Sequence, residues 1–312
     1  MAQRFLAIGE CMIEMSPTAD GTYALGYAGD TFNTAWYVRQ ASEGGALNVS
    51  YFSAVGDDQV SADLITFMQK AGIETHMAQV AGVSSGLYMI FLDKGERSFQ
   101  YWRSASAARH LADHLDQLPR IGAGDVVYFS GITVAILPEN GRRKLLERLA
   151  ELSRDGVTVV FDPNLRPRLW ASVEDMKEWT MKSAAIARIV MPSFADEQEF
   201  FGDRSAVDTA DRYLRNGAKL AVVKDGPEPV VVKEVGGREF RHQPPAVADI
   251  VDTTAAGDSF NAAFLVEYLR QGGLKTAIEA GCALSRQVIS QRGALVPVNA
   301  VEPNDKIAAI QS

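Results

Sequence analysis

The sequence predicts an α/β fold with a mostly parallel central sheet, and three observations lead to that prediction. Short apolar, β-branched runs alternate along the chain with longer segments whose apolar residues recur at helical spacing. The apolar runs are continuous, which is typical of strands that helices cover on both faces. Two stretches near the N-terminus break this alternation with strand-like patterns of their own. We therefore expect a single α/β domain over residues 1–312 that carries a small β-sheet as a lid.

The predicted elements follow one another in a regular order. Strands are predicted at 5–9, 49–54, 126–130, 158–162, 189–192 and 220–224. Helices are predicted between them, at 31–41, 59–71, 138–154, 172–185 and 207–216. Two long helices, at 257–270 and 274–291, are predicted in the last third of the chain. No internal repeat, low-complexity segment or linker interrupts this series.

The two irregular stretches are predicted to form antiparallel ribbons at 11–27 and 86–103, with turns at 19–21 and 94–95. They define lid insertions at about 11–28 and 84–104. In the second ribbon, Tyr88 and Ile90 share one face, and Phe99, Tyr101 and Arg103 share one face of the returning strand. Such a sheet can cover the carboxyl edge of a parallel sheet, where ligands of open α/β folds bind. The alternatives are a β-flap without ligand contacts and a dimer contact.

Composition and charge exclude several classes of protein. The 312 residues are 47% hydrophobic and 22% charged, which is ordinary for a globular chain and excludes a disordered or fibrous one. The net charge of −8 argues against binding to nucleic acid or to a membrane surface, because both need basic patches. Two cysteines, Cys11 and Cys282, make no disulfide framework. A signal-peptide layout and a long apolar run are both missing from the sequence, so we expect a soluble cytoplasmic protein.

The clearest chemical signal is a run of small residues that opens a predicted helix. Residues 252–258 read DTTAAGD, and SFNAAF follows. The first amides of a helix lack partners inside the helix, and the helix dipole adds partial positive charge there, so these amides can hold a phosphoryl group. Asp258 stands in the first turn, where its carboxylate can take the proton of an attacking hydroxyl. The alternative is that Asp258 only complements the helix dipole, an effect of about 0.3–1 kcal/mol.

This run resembles the second signature of the PfkB (ribokinase-like) family of sugar kinases. Residues 28–35, AGDTFNTA, are similar to the first signature, a glycine-rich turn that binds the sugar. Residues 162–170, DPNLRPRLW, resemble the segment that follows a central strand in these kinases. The resemblance extends over essentially the whole chain. It implies a ribokinase-like three-layer fold, use of ATP and Mg²⁺, and a monovalent cation such as K⁺ near Asp252 and Thr254, as in some relatives.

The resemblance also implies catalytic and nucleotide-binding residues. Asp258 is the implied general base, and the amides of Ala255, Ala256, Gly257 and Asp258 form the implied anion hole. The implied ATP-binding residues are Asn164, Arg168, Ser193, Lys224, Asp225, Gly226, Thr253 and Gly257. Asp196 and Glu197 are the candidates for organising Mg²⁺, through water.

Three further segments indicate the substrate. GLY at 86–88, YWR at 101–103 and RGA at 292–294 are similar to family members that act on 2-keto-3-deoxygluconate (KDG), a sugar acid. A buried carboxylate needs Arg together with hydroxyl donors. The implied substrate-binding residues are Gly29, Asp30, Asn33, Tyr88, Tyr101, Arg103, Arg166, Asp258 and Arg292. The implied reaction is ATP-dependent phosphorylation of KDG at its 6-hydroxyl, which gives 2-keto-3-deoxy-6-phosphogluconate.

The sequence departs from the family pattern at several positions. Ala255 replaces the first Gly of the anion hole, which is tolerated if its φ is negative, since only a positive φ demands Gly. The N-x-x-E motif of the family becomes Ser193 and Asp196, with Glu197 next in sequence. In the K-x-G-x-x-G loop, Lys224 and Gly226 are present and Pro229 stands in place of the last Gly.

Two other functions fit the same resemblance. One is a fructokinase or another neutral-sugar kinase, for which Arg103 and Arg166 would be idle. The other is a regulator that binds a sugar acid without catalysis. A dinucleotide-binding enzyme and a P-loop NTPase lack support, because neither phosphate-binding fingerprint occurs in the sequence. His110 and His114 have helical metal-ligand spacing but no third ligand, and we expect no metal there. From the lids of the family we expect a homodimer or a higher homo-oligomer.

Overall fold

The computed structural model describes residues 3–42, 46–93, 96–247, 249–271 and 273–299. Its strands are β1 (Gln3–Ile8), β2 (Met12–Pro17), β3 (Tyr23–Ala28), β4 (Leu47–Gly56), β5 (Glu74–Val80), β6 (Leu87–Asp93), β7 (Glu96–Trp102), β8 (Val126–Ser130), β9 (Thr158–Asp162), β10 (Ile189–Val190), β11 (Leu220–Val223), β12 (Val230–Glu234) and β13 (Glu239–His242). Its α-helices are α1 (Asp30–Ala41), α2 (Gln59–Lys70), α3 (Gly131–Ile136), α4 (Glu139–Arg154), α5 (Val173–Ile186), α6 (Phe194–Phe201), α7 (Ala206–Arg215), α8 (Ala256–Leu269) and α9 (Gly273–Ile289). Each predicted strand and helix is present, with bounds that differ by one or two residues.

Nine strands form the central sheet in the order β13-β12-β11-β10-β9-β8-β1-β4-β5. All neighbours from β11 to β5 are parallel, and β12 and β13 add an antiparallel edge. The α/β prediction is therefore confirmed. After β1, the chain adds β4 and then β5 on one side of β1, and it later adds β8 on the other side. The direction of winding therefore reverses at β1, which makes it the topological switch point. Ligands of open α/β sheets bind at the carboxyl ends of the strands beside such a point.

Helices bury both faces of the central sheet, as the continuous apolar strands predicted. Along β1, Phe5 and Ala7 pack in one core cluster with residues of α1, α2, α8 and α9. Leu6 and Ile8 point to the other face and pack with residues of α3, α4, α5 and α7. All four side chains are completely buried. None of the described helices combines the length and the apolar character that a membrane crossing requires.

The two ribbons pair into one four-stranded sheet in the order β3-β2-β6-β7, so the predicted small sheet is confirmed. β2 pairs with β3 and β6 with β7 in antiparallel register, and the parallel pair of β2 with β6 joins the ribbons. The turn at 19–21 is present, with Gly21 at φ 83° and its amide bonded to the carbonyl of Thr18. The turn predicted at 94–95 lies outside the described residues.

Some elements were missed by the sequence patterns. Helix α3 is only six residues long and contains Gly131, Thr133 and Val134, so it reads as an extension of the apolar strand before it. Ser130 caps this helix in a reciprocal capping box with Thr133. His110 lies in a 3₁₀ helix, Ala107–Asp113, instead of an α-helix, and a 3₁₀ helix does not place residues four apart on one face.

Candidate active site

A cleft of about 480 Å³ lies between the carboxyl ends of the parallel strands and the four-stranded sheet. The predicted residues that line it are Gly29, Asp30, Asn33, Tyr88, Tyr101, Arg103, Asn164, Arg166, Ser193, Asp196, Lys224, Thr253, Ala255, Ala256, Gly257 and Asp258. The cleft is also lined by Thr254, which was named only for the monovalent cation, and by four residues to which the sequence gave no site role, Met12, Phe99, Ile132 and Asp162. The fold thus brings the two signatures and the second ribbon to one place.

The floor of the cleft is the start of α8, where Ala255 is the N-cap residue. Its φ is 60° and its ψ is 16°, so the backbone is left-handed here and the condition under which Ala would be tolerated without strain is not met. A non-glycine residue pays about 1–2 kcal/mol for this conformation. The left-handed turn directs the chain from the loop 252–254 into the helix, with Gly257 and Asp258 in its first turn. The first amides of α8 have no acceptor inside the helix, so they can bind an anion.

Asp258 lies at this helix start and is held by the first signature. Its Oδ2 accepts a hydrogen bond of 2.8 Å from Nδ2 of Asn33 in α1. Burial, and after it the nearby carboxylate of Asp30, raise the pKa of Asp258 to about 8 against the opposing effects of Asn33 and Lys224. A carboxylate with this pKa can accept a proton near neutral pH.

The first signature turns tightly where it enters the cleft. A Cβ on Gly29 would lie 2.2 Å from the backbone oxygen of Glu10, so this position requires Gly. Asp30, one residue on, accepts a hydrogen bond of 2.8 Å from Nδ2 of Asn164. Asn164 was predicted to contact ATP, and the structure instead places its side chain against a predicted sugar-binding residue.

Beside the start of α8 lies a polar network that the sequence analysis missed. Asp162, at the end of β9, accepts hydrogen bonds from Nζ of Lys224 at 3.1 Å and from Nδ2 of Asn261 at 2.6 Å. Lys224 also donates to Oδ1 of Asn261 at 2.9 Å. Asp162 and Asn261 are buried. The position of Asp162 at the carboxyl end of a predicted strand is a signal that could have identified it. Asn261, inside a helix, offers none.

The four-stranded sheet contributes aromatic and basic side chains to the cleft. Tyr88 packs against Tyr101, with ring centroids 5.7 Å apart. The hydroxyl of Tyr88 donates to the carboxylate of Glu14, so it can offer a substrate only its acceptor lone pair. Arg103 is ion-paired with Glu10 and lies over the Tyr101 ring at 6.0 Å. Both acids were missed, although Glu10 directly follows the first predicted strand.

Arg166 reaches the cleft from the loop after β9. Its guanidinium lies 3.7 Å from the carboxylate of Asp196 in α6, and its side chain is 51% exposed. Burial raises the pKa of Asp196, and Arg166 opposes that shift. Arg166 is therefore loosely paired and accessible, in contrast to Arg103.

The structure contradicts two predicted site residues. Glu197 is completely buried behind α6, where its carboxylate accepts from Arg212 at 2.6 Å and Tyr213 at 2.9 Å. The helical turn separates it from Asp196, so it cannot organise an ion in the cleft. Arg292 lines a separate cavity of about 350 Å³ under the β3 edge of the small sheet, together with Glu14 and Thr254. It is absent from the lining of the cleft that holds Asp258.

Three predicted nucleotide residues lie outside the lining of this cleft. Asp225 and Gly226 follow Lys224 directly, and Arg168 is exposed in a 3₁₀ helix, Pro167–Leu169.

A further cavity of about 580 Å³ lies along α9 and includes His242, Asp249, Cys282 and Arg286. Cys282 is buried, and burial raises the pKa of its thiol to about 12.

The donor set of the cleft fits a hard cation held through water. Among the described residues, no group of three or more His, Cys, Asp or Glu side chains could hold a metal ion directly. Asp162 and Asp196 bring carboxylate oxygens to the same end of the cleft. Mg²⁺ commonly binds through one or two carboxylates together with water and substrate phosphates.

Comparison with known proteins identifies the class. The model of the pfkB family carbohydrate kinases matches residues 2–300, so the chain belongs to the PfkB family of carbohydrate kinases. The resemblance found in the two signatures is thereby confirmed, and so is the ribokinase-like fold.

Individual relatives cover nearly the whole chain. A protein of Haemophilus influenzae named 2-dehydro-3-deoxygluconokinase is 37% identical over 295 residues, 93% of this chain and 94% of its own. One of the same name from Escherichia coli K12 is 34% identical over 310 residues, 96% of this chain and 99% of its own. The aminoimidazole riboside kinase of Salmonella enterica, solved with aminoimidazole riboside and an ATP analog, superposes with a TM-score of 0.81 at 23% identity, covering 99% and 100% of the two chains.

Proposed function

We propose that this kinase transfers the γ-phosphoryl group of ATP to the 6-hydroxyl of KDG. The observation that carries the proposal is the juxtaposition of Asp258, the start of α8 and two arginines in one cleft. Relatives named 2-dehydro-3-deoxygluconokinase support the choice of substrate, because their similarity extends over the whole cleft-forming chain.

Asp258 acts as the general base in the proposed reaction. Its carboxylate takes the proton of the 6-hydroxyl, whose oxygen bonds to the γ-phosphorus as the bond to the β,γ-bridging oxygen breaks and ADP leaves. The amides of Ala255, Gly257 and Asp258 hold the transferring group at the helix start in this proposal, whereas the predicted donor Ala256 is engaged, because its amide donates to the carbonyl of Thr253 at 3.2 Å. A pKa of about 8 allows Asp258 to accept the proton and then to lose it to solvent. Mg²⁺ bound through water to Asp162 and Asp196 would neutralise the phosphates.

ATP extends from the start of α8 across the Lys224 loop in this proposal. Gln243 donates to the carbonyl of Pro227 at 2.7 Å, which joins the loop after β11 to the segment after β13. The cavity beside α9 opens next to that segment and would hold the base of the nucleotide. This path for ATP also passes the implied ATP-binding residues Ser193, Asp225, Gly226 and Thr253. The proposed site also includes a monovalent cation near Asp252 and Thr254, as the family resemblance implies.

The carboxylate of KDG would bind at the arginines, and its hydroxyls at the first signature. Arg166 is accessible, and Arg103 lines the cleft from the small sheet. Gly29, Asp30 and Asn33 lie beside Asp258, where they would orient the sugar for attack. In this proposal the whole chain is one catalytic domain, and the insertions at about 11–28 and 84–104 close over the substrate and exclude water.

The outer face of the small sheet supports the expected self-association. The cross-strand register places Leu25, Phe91 and Trp102 on that face, where they are 54%, 42% and 53% exposed. We propose a homodimer through this face. Sedimentation of wild type and of Leu25→Glu tests it, and a monomeric wild type would refute it.

The test of the proposed function is ADP release from Mg-ATP with KDG, fructose, ribose or no sugar. Asp258→Asn should lower kcat at least about 100-fold. Asp208→Asn is a matched control, because Asp208 also lies in the first turn of a helix, α7, outside the cleft. Turnover of fructose or ribose alone would indicate a neutral-sugar kinase. KDG binding without turnover would indicate a regulator.

A further inference from the structure

Glu10 lies at the joint between the two sheets. We define the joint by its two crossings: residues 9–11, which lead from β1 into β2, and residues 103–106, which follow β7. Glu10 belongs to the first crossing, and Arg103 and Ser106 belong to the second. The sequence analysis gave Glu10 no role.

The Glu10 carboxylate binds both ends of the second crossing, at Arg103 and at Ser106. One of its oxygens accepts a hydrogen bond from Nη2 of Arg103, and the other accepts from Oγ of Ser106. Glu10 is 2% exposed, and it is absent from the residues that line the cleft. The joint is also closely packed, since a Cβ on Gly86 would lie 2.7 Å from Oε1 of Glu10. Glu10 therefore cannot contact a substrate and can act on it only through Arg103.

Arg103 is only partly used by this contact. Its guanidinium carries N–H donors on three nitrogens in a rigid fork. Nη2 is committed to Glu10, whereas Nε is buried and has no hydrogen-bond partner among the described residues. A buried polar nitrogen without a partner is costly, so an acceptor supplied by a ligand would satisfy it. Arg103 lines the cleft in which we placed the sugar acid.

We propose that Glu10 is a positioning residue for sugar-acid recognition, which holds the Arg103 guanidinium so that its remaining donors meet the substrate carboxylate. This proposal rests on the proposed function and deepens it. Because Glu10 already neutralises the charge of Arg103, Arg103 contributes oriented hydrogen-bond donors to the substrate and little net positive charge. The less compensated positive charge for the substrate comes from the accessible Arg166, whose ion pair with Asp196 is long, at 3.7 Å.

Two substitutions separate the geometry of Glu10 from its charge. Glu10→Asp keeps the charge and withdraws the carboxylate by one methylene, so it should pull Arg103 out of position. We expect KM for KDG to rise about 10- to 100-fold, with kcat and KM for ATP within about twofold of wild type. Glu10→Gln keeps an oxygen for Arg103 and gains an N–H for Ser106. It should leave KM for KDG within about threefold of wild type or lower it.

A double-mutant cycle tests whether Glu10 acts through Arg103. In an Arg103→Gln background, Glu10→Asp should raise KM for KDG no further. Glu197→Asp is the matched control, because Glu197 is also a buried partner of an arginine, Arg212, but lies outside the cleft. It should lower the melting temperature without changing KM for KDG.

The outcomes decide between positioning and a purely structural role. An unchanged KM in Glu10→Asp, an equal rise in Glu10→Asp and Glu10→Gln, or an undiminished rise in the Arg103→Gln background would each overturn the proposal alone, provided that the wild type turns over KDG. A wild type that phosphorylates only neutral sugars would overturn the proposed function and this proposal together.

Discussion

Asp258 is predicted to cost the protein stability at alkaline pH, so its replacement should stabilise the fold while it removes activity. The pKa of Asp258 is raised from 3.8 to about 8 in the folded state, first by burial and then by the charge of Asp30. Between these two pH values the folded chain holds a proton that the unfolded chain releases. The free energy of unfolding therefore falls as pH rises from about 4 to about 8.

The size of the effect follows from the shift. The rise of the pKa from 3.8 to about 8 corresponds to a loss of up to about 6 kcal/mol of folding stability at pH 9, at about 1.4 kcal/mol for each tenfold change. At pH 5, Asp258 is protonated when folded, and Asn resembles it in shape and charge. Asn can also keep the hydrogen bond from Asn33, because its side-chain oxygen accepts. Because Asp258 is already mostly ionised in the unfolded chain at pH 5, Asp258→Asn should stabilise the fold by about 1–2 kcal/mol at pH 5 and by more at pH 9.

Denaturant unfolding of wild type and Asp258→Asn at pH 5 and pH 9, without nucleotide or sugar, measures the difference. We expect a gain of about 3–5 kcal/mol at pH 9, or roughly 5–8 °C in melting temperature. Asp208→Asn should show no such pH-dependent gain. Equal effects of Asp258→Asn at the two pH values would refute the reasoning, because the carboxylate would then not be destabilised by its surroundings.

Three further substitutions probe the cleft. Arg166→Ala should raise KM for KDG about 10- to 100-fold, with a smaller effect on fructose, and an unchanged KM would remove Arg166 from the carboxylate site. Ala255→Gly should relieve the left-handed backbone and stabilise the fold by about 0.5–1 kcal/mol with kcat retained, as thermal unfolding and the ADP assay would show. Tyr88→Phe should raise KM for KDG about 3- to 10-fold through loss of one acceptor, and a loss as large as that of Arg166→Ala would instead place Tyr88 at the carboxylate.

Much of the fold could be predicted from the sequence because its signals are local. Continuous apolar strands such as 126–130 and helical periodicity such as 138–154 reappear with almost the same bounds. Short elements were lost, since six residues of α3 contain too little periodicity to separate a helix from a strand. Most of the residues that line the cleft were also predicted, because the small residues at the start of α8 and the other family-like segments are each continuous in the sequence.

The sequence alone determined the class of fold, the small sheet, and the placing of a carboxylate in the first turn of a helix that opens with small residues. These features depend on residues close together in the chain. Tertiary structure decided the left-handed φ of Ala255, the burial of Glu197 against Arg212, and the raised pKa of Asp258. It also decided that Glu10 binds Arg103 across 93 positions while Arg166 stays accessible. Burial, desolvation and ion pairing depend on neighbours that only the folded chain brings together.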